Sequence, residues 1–539
     1  VALPNAQPVK FTPKGLSDAY DASEAFPGAC RALANLVFDQ GNPELIVCRP
    51  GATRMTSFPG FTLPTFVSVH AAIGTVIYGM VSTNRNPGHD EPFAYDTVAN
   101  AFTTISGVTN ANTPTSPALT GAWQPPSMTV VGTKILITHP GFNGSGTLYF
   151  GVIDISNPVA PAWSSSNLAT NPLPSPPSWV ANLNNRAYFA VGNVLYFSDV
   201  LSPLVATNAG QSLTLGDPTP IRAIEGLPIQ TTSAGVSQAL LAFKDFQVWQ
   251  ITGDPTTQNL ALNFLSLNVG TSAPRSLVQS PYGVNFMAID GPYIVDPLGL
   301  VRPLTKQPQA SDQDIQQPFI YATTPSRVSA GYSGGIYRIC LDTTLNGSIA
   351  TNDYWFDTQR RRWNGPHSFP HDCASQVGSY FVLSHQSKGA ALFKSQLFQD
   401  ATSVYLDDGN SLSFYLESST FPKDMSMSEK MVVESTIELG VAGGTVSYGI
   451  TALDEQRNTL NHALINISSS ATLWGGSTWG GGLWSSGINI PSVYTIPWTA
   501  PLVFQKMALV VTGSSKNNVS IGAFFARYQI TGYMNRSQS

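Results

Sequence analysis

The sequence predicts an all-β protein: a β-propeller of about six to seven blades followed by a C-terminal β-sandwich-like domain. Two stretches carry most of that reading. NNRAYFAVGNVLYFSDVLSP (184–203) is an apolar strand, a Gly192-Asn193 turn and a second apolar strand. ALLAFKDFQVWQITGDP (239–255) repeats the form with a Lys244-Asp245 turn and a Gly-Asp-Pro stop. Two-residue turns between β-branched and aromatic runs mark tight hairpins. The third observation is recurrence, because the same grammar returns along most of the chain at a spacing of about 45 residues, within the range of propeller blades.

Composition agrees with this class. The chain has 539 residues, too long for one ordinary core, and 42% of them are hydrophobic. Charged residues are only 11%, beside 46 Gly and 40 Pro, so the polar surface is largely uncharged and rich in loops. A net charge of −5 offers no basic footprint for gripping nucleic acid. No apolar run reaches the roughly 18 residues of a membrane span, and VALPNAQPVKF lacks the charged-then-apolar order of a signal peptide. Cys30, Cys48, Cys340 and Cys373 are widely spaced, form no CxxC pair and read as buried thiols.

In chain order, residues 1–60 read as an N-terminal arm with a lead-in strand, ELIVC (44–48). The propeller is placed at 61–420. Its units are FVSV with IGTVIYGMV and FAYDTVANAFTTI (66–105), MTVVGTKILITH with GTLYFGVIDIS (128–156), and the two hairpins already quoted. GVNFMAIDGPYIVDP (283–297), 328–363 and 375–416 complete it. Each small sheet has two apolar faces that it cannot bury alone, and radial stacking buries both. Pro/Ser/Thr/Asn-rich stretches at 109–120, 164–178 and 306–317 are loops. After Phe421-Pro422 the pattern becomes longer alternating strands, and 421–539 is assigned to the sandwich, with a Trp/Gly-rich loop projecting from it.

Candidate chemistry is sparse. GxxxxGK[ST] and HExxH are absent. Asp199, Asp217, Asp254, Asp290 and Asp296 lie near strand ends, where a glycosidase could pair two carboxylates and where aspartates also cap turns. His367, His371, Cys373 and His385 cluster without the spacing of a zinc site. Asp407-Asp408-Gly409-Asn410 reads as a hairpin turn. No catalytic, cofactor-binding or metal-ligating residue is assigned, no cofactor is expected, and the chain is read as not an enzyme. Candidate interface residues are Arg360, Arg361 and Arg362, flanked by Trp355 and Trp363, and Trp474, Trp479 and Trp484 on their glycine scaffold.

CRPGATRM (48–55), the 184–199 hairpin, LLAFKDFQVWQITGDP (240–255) and WGGSTWGGGLW (474–484) occur in an order that resembles the tail nozzle, hub or DNA-stabilisation proteins of short-tailed bacteriophages. The resemblance implies a structural virion protein assembled in the host cytoplasm. It would form a ring, as a homo-hexamer, continuing the DNA conduit below the portal and adaptor and helping to retain or release the genome. Its partners would be portal and adaptor proteins, tail fibres or spikes, and viral DNA passing without sequence-specific binding. The rival reading is a propeller enzyme or lectin acting on cell-surface polysaccharide.

Overall fold

A computed structural model of the chain describes residues 7–18, 25, 28–42, 44–57, 67–82, 88–116, 125–231, 235–253, 260–305, 315–345, 348–384, 391–396, 404–422, 428–469 and 491–533. Among these the only α-helix is the short Gln317–Ile320, beside single 3-10 turns at Pro274–Ser276 and Pro325–Arg327, and the rest is strand, turn and loop. None of the described helices is long and apolar enough to cross a membrane.

Seven antiparallel four-stranded units make the propeller. Blade I is Val67–Ile73, Val76–Ser82, Asp90–Asp96 and Ala101–Thr103; blade II is Ser127–Val131, Lys134–Thr138, Phe150–Asp154 and Ala162–Ser166. Blade III is Trp179–Leu183, Arg186–Val191, Val194–Phe197 and Ser212–Thr214; blade IV is Ala223–Thr231, Gly235–Phe243, Val248–Thr252 and Ala261–Ser266. Blade V is Val278–Ser280, Gly283–Ala288, Gly291–Val295 and Val301–Pro303; blade VI is Ser329–Ser333, Ile336–Leu345, Ser348–Asp357 and Arg362–His367. Blade VII is Cys373–Val377, Tyr380–Ser384 and Ala391–Gln396, completed by Ala52–Ser57 from the start of the chain. Six of these units are separate sheets, and blade VI is continued into the second domain.

The predicted hairpins fall on the middle strands of their blades. Gly192 turns between the second and third strands of blade III with φ 58, a left-handed conformation that glycine adopts without a Cβ penalty. Middle strands are buried on both faces, as in Gly283–Ala288, because each blade is sandwiched between two others. Apolar clusters join neighbours in turn: Ile77 with Leu392 between blades VII and I, Tyr78 with Ile153 between I and II, Phe150 with Phe189 between II and III. Blades III, IV and V share one cluster containing Tyr188, Phe243 and Phe286. The innermost strands follow one another around a closed circle, with that of blade VII packed against that of blade I.

The 1–60 stretch is not a free arm, as the sequence suggested. Gln7–Phe11 pairs with Val519–Tyr533, Ala29–Ala34 with Asn410–Ser418, and Ile46–Cys48 with Val519–Tyr533. Asn410–Ser418, read as part of the last blade, also belongs to the sandwich, where it pairs with Ala508–Ser515. The missing fourth strand of blade VII is Ala52–Ser57, in register from Ser57↔Ala391 to Ala52↔Ser395. The sandwich is therefore built from both ends of the chain, and the propeller is the intervening segment closed by one strand of the lead-in. A ring closed in this way has no free radial end to fray.

Propeller and sandwich share one sheet and one core. Leu33 of Ala29–Ala34 pairs with Gly365 of blade VI, so blade VI runs on through Ala29–Ala34, Asn410–Ser418, Ala508–Ser515, Gly444–Leu453 and Thr459–Ser469. The facing sheet centres on Ser428–Val441 and Val519–Tyr533. Phe414, Tyr448, Ile437 and Phe524 fill the space between the sheets, in the same cluster as Ile339, Phe356 and Trp363 of blade VI.

Candidate functional site on the propeller axis

The innermost strands present their side chains to neighbouring blades and to the axis of the wheel. Around that axis lies a cavity of about 500 Å³ with walls drawn from blades II to VII. The lining is mostly uncharged and polar, as at Thr129, Asn182, Gln238, Gln279 and Ser375, with Trp179 and Tyr332 as aromatic members. Among the described lining residues Glu225 is the single carboxylate and Arg275 the single guanidinium.

Local bonds fix several of these groups. The Ser127 hydroxyl accepts from the Val180 N–H at 2.9 Å, and Asn182 Nδ2 donates to the Val130 carbonyl at 2.7 Å, which fastens blade II to blade III beside the bore. Asn182 Oδ1 is enclosed and has no donor among the described residues. A Cβ placed on Gly226 would sit 4.0 Å from the Asn182 carbonyl oxygen, so Asn182 and Glu225 occupy adjacent strands at one level. Glu225 accepts the Gly226 N–H at 3.0 Å. Burial pushes its carboxyl up to about 7, opposed by that backbone bond, with no cation among the described residues acting to hold it ionised. Arg275 Nη1 donates to the Asp372 carbonyl at 2.8 Å, and burial lowers the guanidinium's proton affinity. The arrangement offers a carboxyl at one place and a guanidinium at another.

The residues singled out from sequence lie elsewhere. Arg360 pairs with Asp357 at 2.7 Å, donates to the Asp39 carbonyl at 2.8 Å and lies over the Phe38 ring, tying the outer turn of blade VI to the lead-in. Arg361 is exposed at the apex of that turn with φ 55. Arg362 is half-buried with its methylenes against Gly15, so the three arginines do not form one outward patch. Trp474, Trp479 and Trp484 lie outside the described residues, as do Asp254 and His385.

The remaining aspartates bind turns. Asp199 accepts from Thr207 and from Gln211 at 2.8 Å, and Asp296 from the Leu298 and Leu300 N–H groups at 3.0 and 2.9 Å. Asp290 accepts from the Tyr293 hydroxyl at 2.7 Å. Asp217 receives the buried Lys244 ammonium at 2.9 Å, so the turn lysine of the 239–255 hairpin faces inward rather than to solvent. His367 Nδ1 accepts the Asn35 N–H at 3.1 Å and His371 Nδ1 meets Ser329 Oγ at 2.7 Å, so both serve the junction between blades VI and VII and the lead-in. Sequence reasoning passed over Glu225. Its signal was a lone acid inside an apolar strand, IRAIEGLPI (221–229).

No protein-family model matches the chain, and no curated protein matches it. Solved structures resemble it weakly. A puromycin hydrolase is 12% identical with a TM-score of 0.37, over 68% of this chain and 61% of its own. The GH32 β-fructofuranosidase BmSUC1 of Bombyx mori is 8% identical with a TM-score of 0.25, over 89% and 94%. A glycoside hydrolase family 43 arabinoxylan arabinofuranohydrolase of Bacillus subtilis is 9% identical with a TM-score of 0.21, over 89% and 99%. The chain thus spans about three fifths of the puromycin hydrolase. All three are hydrolases by description, and the expectation that the chain is not an enzyme finds no support among them. Likeness at this level assigns no activity, substrate or residue to it.

Proposed function

We propose that the chain is a tail nozzle or hub subunit of a short-tailed bacteriophage. It forms a ring, as a homo-hexamer, that continues the DNA conduit below the portal and adaptor and helps retain or release the genome. The observation that supports this best is the fusion of propeller and sandwich through one sheet and one core. A subunit that bears the load of a pressurised conduit needs its modules to move as one body, and a shared core provides that more firmly than a polar interdomain contact. Three of the four motifs that carry the resemblance are also structural members: CRPGATRM includes the first part of the closing strand of blade VII, and the two hairpins form the middle of blades III and IV. A net charge of −5 suits a conduit wall, since a basic wall would trap DNA by counterion release.

The test is cryo-electron microscopy of native particles, with the chain located by a fusion tag. Rings coaxial with the tail, below the adaptor, are the expected result. A chain absent from purified virions, or present in them without axial symmetry, refutes the proposal.

A further inference from the structure

We propose that one face of the propeller docks on a zwitterionic lipid membrane, which it meets through aliphatic tips on the outer turns of blades I, II, III and V. The inference stands apart from the ring reading and does not depend on it.

These turns, between the third and fourth strands, share one construction. An aspartate ends or follows the third strand, and its carboxylate accepts an N–H two residues on: Val98 at 2.9 Å from Asp96, Ser156 at 3.0 Å from Asp154, and Leu298 at 3.0 Å from Asp296. In blade III, Asp199 holds a wider loop through Gln211 at 2.8 Å. The backbone then ties the turn to the one between the first and second strands of the same blade. Thr97 donates to Thr75 at 2.9 Å, Ile155 to Thr133 at 2.8 Å and Leu201 to Asn185 at 2.9 Å. Because the blades repeat one strand order around the axis, all these turns emerge on the same face of the wheel.

What the turns hold out is apolar. Val98, Val159, Leu201 and Leu298 are 78%, 81%, 68% and 80% exposed. One exposed aliphatic needs no explanation, but the same kind of side chain fastened outward at the equivalent place in four blades does. Blade VI departs from the pattern: its turn carries Arg360, which lies over Phe38 and donates to the Asp39 carbonyl at 2.8 Å, so the chain's own lead-in covers it. Residues 254–259, in the corresponding turn of blade IV, lie outside the described residues, and blade VII takes its fourth strand from the lead-in.

Spacing and charge select the occupant. Each tip stands on its own blade, so a protein partner would need a separate pocket for every one. The interfacial zone of a bilayer accepts isolated aliphatics anywhere in its plane and hydrates the polar turns beside them, such as Gly74-Thr75 and Asn184-Asn185. Residues 97–100, 155–161, 200–204 and 297–300 include no Asp, Glu, His, Lys or Arg. The cations next to them are spent, Lys134 on Asp154 at 2.7 Å and Arg302 on Asp296 at 3.3 Å. These turns therefore offer anionic headgroups no attraction.

Flotation of the full chain with phosphatidylcholine vesicles tests this. The chain should rise with the vesicles at low and high salt alike, because apolar contact is not screened as charge is. Adding phosphatidylserine should not strengthen the binding. Leu201→Ser should lower the partition coefficient by about 5-fold to 20-fold, and Val98→Ser/Val159→Ser/Leu201→Ser/Leu298→Ser should abolish flotation. Leu464→Ser, at a leucine 58% exposed on the sandwich strand Thr459–Ser469, should float as the unmodified chain does. If the fourfold variant fails to fold, Val98→Ser/Val159→Ser and Leu201→Ser/Leu298→Ser should each weaken the partition. The proposal is overturned if the chain does not float, if phosphatidylserine strengthens the binding, or if the folded tip variants float unchanged. Self-association without lipid that the tip variants abolish would assign the tips to an interface between copies and overturn it as well.

Discussion

Arg49 and Asp407 are joined by a two-pronged ion pair in which the Arg49 side chain is wholly buried, with Nη1 donating to Oδ1 at 3.1 Å and Nη2 to Oδ2. Arg49 precedes the closing strand of blade VII, and Asp407 begins the hairpin that enters the sandwich. Asn35 Oδ1 takes the Arg49 Nε–H at 2.9 Å, and the Ala52 N–H reaches Asp407 Oδ1 at 3.0 Å. One pair therefore fixes the place where the chain passes from lead-in to propeller and from propeller to sandwich.

Replacing Arg49 with Met should destabilise the protein by about 3–5 kcal/mol, because it leaves the Asp407 carboxylate buried without its partner. The double variant Arg49→Met/Asp407→Leu should recover a large part of that loss. Equilibrium urea unfolding of the three proteins measures both values, and equal stability of the single and double variants would show that the pair is not coupled.

Gly51 lies between Arg49 and the closing strand, and a Cβ there would meet the Leu406 carbonyl oxygen at 2.1 Å. Backbone must move to admit it, so Gly51→Ala should cost about 1–3 kcal/mol, the usual penalty of overpacking. The damage should localise. Hydrogen exchange should rise first in Ala391–Gln396, the strand that the closing strand covers.

Glu225 makes stability depend on pH. Its carboxyl has an ordinary value of 4.5 and is pushed up to about 7 by burial, so the folded chain binds the proton more tightly than the unfolded chain does. Its contribution is full below about 4.5, declines as pH rises to about 7, and is flat above that. Between those limits the chain should lose about 1–3 kcal/mol relative to Glu225→Gln, which has no proton to release. Thermal melts of both proteins across the window test this, and parallel curves would place the carboxyl in a solvent-like setting.

All four cysteines are buried thiols outside any disulfide. Burial raises the Cys30 and Cys340 thiols strongly and pushes Cys48 up to about 12. The thiolate is the reactive form, so labelling with a disulfide reagent at pH 8 should be negligible in the native protein. All four should react together once it unfolds. Fast labelling of any one under native conditions would show that its blade opens locally.

Most of the propeller was legible in the chain because each blade is local. A turn such as Gly192-Asn193 and the apolar runs beside it lie within about twenty residues, and their pattern is set by neighbours in sequence. The lead-in was misplaced for the converse reason. Nothing in ATRMTS (52–57) distinguishes a strand that pairs with Ala391–Gln396 from one that ends an arm, since its partner lies more than three hundred residues away. The axial site was missed similarly: Glu225 is unremarkable in its own strand and borders a cavity only where the blades meet. Arg360 looked like part of an outward patch, and its partners Asp39 and Phe38 come from the distant lead-in.

The sequence by itself determined the class of fold and the position of nearly every hairpin, because strand alternation and turn chemistry are short-range properties. Only the tertiary structure decided that the two ends of the chain build the sandwich together and that one lead-in strand closes the wheel. It alone also put an acid with an elevated proton affinity on the axis. Those outcomes depend on contacts between segments far apart in the chain, and on burial that exists only after the blades have closed around a common centre.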